Sequence, residues 1–137
     1  MKKSLFILRS LALPFSLFGF GRPAESVHPD GTARPSYKKI DARTAKEIID
    51  SGEKVTILDV RTREEFQQGH IKGAVHLPYD QIPAKASGFL PDKNARILVY
   101  CASGARSSAG TRSLVSLGYS DASDFGGIMS WPYEVVR

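Results

Sequence analysis

Apolar residues fall in short runs set apart by charged or small-residue stretches. Val55-Thr56-Ile57-Leu58-Asp59-Val60 and Ile97-Leu98-Val99-Tyr100 are nearly continuous β-branched and apolar runs, the pattern of parallel strands covered on both faces. Tyr37–Ile40 predicts a short entry strand, Ala74–Leu77 a strand stopped by Pro78, and Ala122–Phe125 a last short one. Between them the period turns helical. Ala45, Ile48 and Ile49 make one face of a helix over Ala42–Asp50, opened by Asp41 as N-cap and closed at Ser51-Gly52. Thr62 with Glu65 three residues on predicts a capping box for a helix over Arg63–Gln68. Asp80 opens a helical stretch that Pro83 and Gly88 keep short, and Ser108–Leu117 carries a further helical pattern. Gly69–Gly73, Pro91–Asn94 and Gly118-Tyr119 read as turns, and Gly126-Gly127 opens a last segment holding Trp131. Strand and helix alternate at short spacing, which predicts an α/β fold: a mainly parallel sheet with helices on both faces. Ligands bind such sheets beyond the carboxyl ends of the strands. Asp59 and Cys101 both lie near such ends.

Composition changes this picture only at the N-terminus. A chain of 137 residues with 42% hydrophobic and 24% charged residues is that of one globular domain. Four of its five net positive charges sit on Lys2, Lys3, Arg9 and Arg22, before the first acid, Glu25, which leaves +1 for the remainder. Met1-Lys2-Lys3, then Leu5–Leu8 and Leu11–Phe20 interrupted by Arg9, resemble a secretory signal peptide over residues 1–24. The apolar part after Arg9 is short of the roughly 20 residues of a membrane span. Cleavage after Gly21 meets small residues where they are preferred, whereas cleavage after Ala24 meets Arg22. Residues 25–36 read as a linker and residues 37–137 as the domain. The expected location is the periplasm or another exported compartment, with a membrane anchor as the alternative if the leader is retained. The body carries no basic stripe interleaved with aromatics, so nucleic acid is not an expected partner.

The chemistry concentrates on Cys101-Ala102-Ser103-Gly104-Ala105-Arg106-Ser107. The only cysteine ends a buried strand and enters a small-residue loop that feeds a helix. Backbone N–H groups and the helix dipole there stabilise a thiolate and a bound anion. Arg106 adds positive charge, and the thiol is expected to ionise below the ~8.5 of a free cysteine. Gly104 lets the loop curl, while Ala102, Ser103 and Ala105 keep its rim small. Ser103 and Ser107 offer hydroxyl donors, and Ser107 is also placed to cap the helix. One cysteine excludes an intramolecular disulfide framework and a multi-cysteine zinc site. His28 and His76 are isolated, so no metal is expected.

Three stretches in order carry a resemblance. Asp59-Val60-Arg61-Thr62-Arg63-Glu64-Glu65-Phe66 leads to Gly69-His70-Ile71-Lys72-Gly73-Ala74 and Leu77-Pro78; the cysteine loop follows; then comes Gly126-Gly127-Ile128-Met129-Ser130-Trp131. Together they resemble a single-domain rhodanese over roughly residues 37 to 135, and with the leader the chain is similar to periplasmic members. The resemblance implies a central five-stranded sheet and a catalytic Cys101 that carries a persulfide. It implies a sulfane-sulfur donor such as thiosulfate, a cyanide or thiol acceptor, and no cofactor. Asp59 and Arg61 are implied to lie beside the loop and support it, the alternative being an ordinary ion pair or cap at a strand end. Glu65 either caps its helix or pairs with a loop arginine. Arg106 either meets the donor's oxyanion or shapes the loop. The Gly-His-Ile turn at His70 reads as structural and Trp131 as core.

Two rivals belong to other classes. A phosphatase or arsenate reductase also sets Cys and Arg around an oxyanion, but tyrosine-phosphatase-type loops place five residues between them and here there are four. A sulfur-carrier or partner-binding module would hand the persulfide to an acceptor protein.

Overall fold

The computed structural model describes residues 37–137. The expected leader and linker, and His28, lie outside the described residues.

Five strands form one sheet: β1 (Lys38–Lys39), β2 (Val55–Asp59), β4 (Val75–His76), β5 (Arg96–Cys101) and β6 (Asp121–Gly127). They stand in the order β1-β6-β5-β2-β4, and every pair is parallel. The two apolar runs, β2 and β5, are neighbours near the middle, where both faces are covered. The mainly parallel sheet expected from the alternation of elements is thus present.

Side chains alternate across β5 and sort the core into two layers. Ile97, Val99 and Cys101 pack with Leu58, Val60, Ile82, Ala86 and Leu114, beneath α3 (Ile82–Phe89) and α4 (Ala105–Ser116). Leu98 and Tyr100 face the other way, towards Ala45, Ile57, Ile71, Phe125 and Trp131, beneath α1 (Ala42–Asp50). The nucleophile candidate and its chain neighbour Tyr100 therefore belong to opposite layers. Trp131 is core, tilted against Phe125 with ring centroids 5.4 Å apart.

The local signals hold at two helix starts. Asp41 accepts the Thr44 N–H at 2.7 Å, and Thr62 with Glu65 forms a complete capping box on α2 (Arg63–Gln68). Three boundaries differ from the pattern. His70-Ile71, read as turn, is β3, paired antiparallel with β7 (Val135–Val136). A two-residue strand has no periodicity of its own, so its partner alone defines it. The helical pattern starting at Ser108 in fact begins at Ala105, because Gly104, with φ +116, turns the chain into the helix without a side-chain cap. Finally, β6 runs through Gly126-Gly127 rather than ending at Phe125. Val99 pairs with Asp124 but Cys101 with Gly127, so β6 carries one extra residue opposite the end of β5, a bulge that ends regular pairing beside the cysteine.

Candidate active site

Cys101 is the last residue of β5, and its sulfur is buried beneath the loop that follows. The Gly104 N–H donates to Sγ at 2.9 Å, and Ser107 Oγ lies 3.5 Å from it. Burial pushes the thiol up. The Ser107 hydroxyl and the backbone N–H groups of Ser107, Gly104 and Ser103 oppose that, and the net direction is down from the ordinary thiol value. The start of α4 is thus a donor set aimed at one sulfur, as the small-residue loop predicts. Ala102 and Gly104 are half-buried and Ser103 and Ala105 exposed, so the rim above the sulfur is made of small groups.

The loop is fitted against β6 by an absence of side chain. Gly127 has ordinary extended φ −120 and ψ 152, yet a Cβ on it would stand 2.0 Å from the Ala102 carbonyl oxygen and 2.7 Å from Ser103 Cα. The Met129 N–H then donates to the same Ala102 oxygen at 3.1 Å. Glycine is needed here for space, not for conformation.

Arg106 does not present a free charge to the sulfur. Its Nη1 and Nη2 donate to the two oxygens of Glu65 at 2.7 and 2.9 Å. Glu65 therefore does both jobs proposed for it: it closes the capping box of α2 and clasps the cysteine loop. This fork-to-fork pairing is specific in geometry and gives Arg106 a part in the structure of the loop. The Arg106 hydrogen bonds, helped by Thr62 and opposed by partial burial, hold the Glu65 carboxyl well below its usual value, at about 2. A depressed carboxylate contributes stability above its unfolded value, near 4.5, and loses it as pH falls towards the folded one. In thermal unfolding followed from pH 6 to pH 2, wild type should lose about 4 °C more than Glu65→Gln, the shift that roughly 1 kcal/mol produces in a domain of this size. Parallel curves for the two proteins would show that the clasp does not stabilise the fold.

Asp59 and Arg61 form a second polar centre, in the other layer. Asp59 is wholly buried and takes the Arg61 Nη2 at 2.6 Å, its Nε at 3.0 Å and its backbone N–H at 2.9 Å. Arg61 Nη2 also donates to the Gly69 carbonyl at 2.7 Å. The Tyr100 hydroxyl accepts the Ile71 N–H at 3.0 Å. These bonds tie β2 and β5 to β3, and none of them reaches residues 102–107. The pair is neither a surface ion pair nor a direct prop of the loop. It holds the sheet from the face opposite Cys101.

His70 Nδ1 meets the Phe66 carbonyl at 2.9 Å, and its ring stacks on Phe66 at 3.8 Å, so it serves structure, as its turn suggested. Among the described residues, no group of three or more His, Cys, Asp or Glu side chains converges as a metal site would require.

Three residues important to the site have little sequence signal. Gly127 is visible only as half of a Gly-Gly pair. Asp124 and Tyr37 meet behind the loop although 87 positions apart.

Comparison with known proteins gives a consistent answer. A family model described as Rhodanese-like domain matches residues 41–133. Thiosulfate sulfurtransferase PspE of Escherichia coli (strain K12) is 34% identical over 71 residues, which are 52% of this chain and 68% of that protein. YrkF of Bacillus subtilis (strain 168), described as a candidate sulfur carrier protein, is 34% identical over 61% of this chain but only 44% of its own length. The crystal structure of a rhodanese-related protein from Thermoplasma volcanium matches with TM-score 0.64 at 33% identity, over 73% of this chain and 98% of that one. With its fold, its cysteine loop and this match across the body of the chain in agreement, the chain belongs to the rhodanese-like sulfurtransferase family.

Proposed function

We propose that the protein moves a sulfane sulfur from a donor such as thiosulfate to a thiophilic acceptor through a persulfide on Cys101. One observation carries the reading: a buried thiol at a strand end receives the Gly104 N–H at 2.9 Å and lies 3.5 Å from the Ser107 hydroxyl. In the first step the Cys101 thiolate attacks the outer sulfur of thiosulfate. The new S–S bond forms as the old one breaks, and sulfite leaves with the electron pair. The loop N–H groups then stabilise the anionic Cys101–S–S⁻ without a metal. In the second step cyanide or a thiolate attacks the outer sulfur, and the Cys101 thiolate is regenerated. The small rim of Ala102, Ser103 and Ala105 suits a donor whose reacting atom is terminal. Arg106 is engaged with Glu65, which speaks against a loop built to clamp phosphate, and so does the four-residue gap from Cys101.

Intact-mass measurement after thiosulfate is expected to show a gain of about 32 Da on Cys101, removed by cyanide with formation of thiocyanate. Cys101→Ala should show neither. Thiocyanate formed at an undiminished rate by Cys101→Ala, or steady phenyl phosphate hydrolysis lost with Cys101→Ser, would overturn the proposal.

The relative described as a candidate sulfur carrier favours a second reading, in which the acceptor is a protein thiol. A Cys101 adduct that forms but passes slowly to cyanide and rapidly to a partner protein would select it. The leader pattern of residues 1–24 supports export to the periplasm, and the N-terminal mass of the protein from its native host tests cleavage against retention as an anchor.

A further inference from the structure

Asp124 is a wholly buried carboxylate on β6, and sulfur chemistry at Cys101 makes no direct use of it. Its Oδ1 accepts the Gly126 N–H at 2.8 Å and its Oδ2 accepts the Tyr37 hydroxyl. Gly126 is thereby held at φ +92, a left-handed conformation. In that pose its carbonyl accepts the Ser107 hydroxyl at 3.2 Å, and its Cα lies 3.9 Å from where a Cβ on Gly104 would stand. Ser107 and Gly104 are the two residues hydrogen-bonded to Cys101 Sγ. The Arg112 guanidinium, on α4, lies 4.7 Å from the Tyr37 ring centre.

We infer that Asp124 is a positioning residue for the Cys101 loop: by fixing Gly126 it seats both Ser107 and Gly104 against the sulfur, with Tyr37 locking it from behind. The inference rests on the reading of Cys101 as the nucleophile. Ser107 Oγ donates towards Gly104 O at 3.0 Å and Gly126 O at 3.2 Å and accepts the Cys101 S–H at 3.5 Å, a contact that reverses once the sulfur is a thiolate. Without a fixed Gly126, Ser107 Oγ loses the contact that holds its rotamer beside Sγ, and with that placement goes the hydroxyl a thiolate needs. Gly104 loses its floor at the same moment. The charged and titratable groups around this chain of contacts are Tyr37, Arg112 and Arg106, the last neutralised by Glu65.

The test is the rate of Cys101 alkylation by iodoacetamide against pH in the full-length protein. Asp124→Ala should raise the midpoint by about one pH unit and slow alkylation at pH 7 roughly tenfold. Asp124→Asn keeps an oxygen for the Gly126 N–H and should remain within about threefold of wild type. In a Ser107→Ala background, Asp124→Ala should shift the midpoint by less than half as much, because the two substitutions act through one contact. Wild-type behaviour of Asp124→Ala would overturn the inference. So would equal shifts in both backgrounds, or equal shifts for the Ala and Asn variants, since charge and not placement would then be acting. Should Asp124→Ala not fold, Tyr37→Phe must raise the midpoint in the same direction, and an unmoved midpoint there overturns the inference as well. A wild-type Cys101 that alkylates below the ordinary thiol range yet takes no sulfur from thiosulfate would sink the sulfurtransferase proposal and leave this one standing.

Discussion

Gly127→Ala is expected to lower thiocyanate formation at least about 100-fold and to destabilise the domain by about 3 kcal/mol, although alanine suits the backbone conformation at this position. With φ −120 and ψ 152, residue 127 is ordinary strand. The obstacle is the added carbon, which would stand 2.0 Å from the Ala102 oxygen, 2.5 Å from its carbonyl carbon and 2.7 Å from Ser103 Cα. All three are main-chain atoms, so no rotamer change relieves the overlap. The loop must lift, and in lifting it moves the Gly104 N–H, now 2.9 Å from Cys101 Sγ. A displacement of about 1 Å at a reacting group is enough for a 100-fold loss. Gly126→Ala supplies the contrast. A Cβ there meets nothing within 4 Å, but φ is +92, so the cost is conformational, about 1–2 kcal/mol. Turnover and thermal unfolding of the two variants check this directly. If Gly127→Ala turns over like wild type, the close approach of loop and strand is not what seats the sulfur.

What the sequence makes legible follows the range of the interactions. The Asp41 cap and the Thr62–Glu65 box act within three residues, and both are present as read. The apolar runs at Val55 and Ile97 lie in central strands because covering both faces leaves an unbroken apolar signature. Cys101 and its loop stand out because small residues beside a lone cysteine at a strand end are chemically pointed. The rest depends on partners far along the chain. Arg106 invites an oxyanion when read alone, and only the fold brings Glu65, 41 positions away, to occupy it. Asp124 is an interruption in a short apolar run until Tyr37 arrives at its side. Asp59 and Arg61 are loop supports only by what the rhodanese resemblance implies. Side-chain alternation nevertheless sends Asp59 to the opposite layer. A period of two decides the face, and the face decides the role.

That placement carries the second large effect. Asp59→Ala is expected to destabilise the domain by about 3–5 kcal/mol, a fall of roughly 10–20 °C in Tm, while leaving the Cys101 alkylation midpoint of the folded protein unchanged. The substitution leaves the Arg61 guanidinium, 7% exposed, without the carboxylate it meets at 2.6 and 3.0 Å. It also strips the Arg61 N–H of its 2.9 Å acceptor. An unpaired buried cation is far costlier than the absence of the pair, so replacing both residues, Asp59→Leu with Arg61→Met, should recover most of the loss. Chemical denaturation of the three variants measures the stability part. Iodoacetamide against pH, under conditions where each variant is folded, measures the other. A midpoint that moves in Asp59→Ala while Asp124→Asn leaves it in place would mean that the sulfur loop is governed through the sheet from the α1 side. An unmoved midpoint in a strongly destabilised protein separates the two polar centres, one beneath α1 holding β2 and β5 to β3, the other behind α4 setting the reactivity of Cys101.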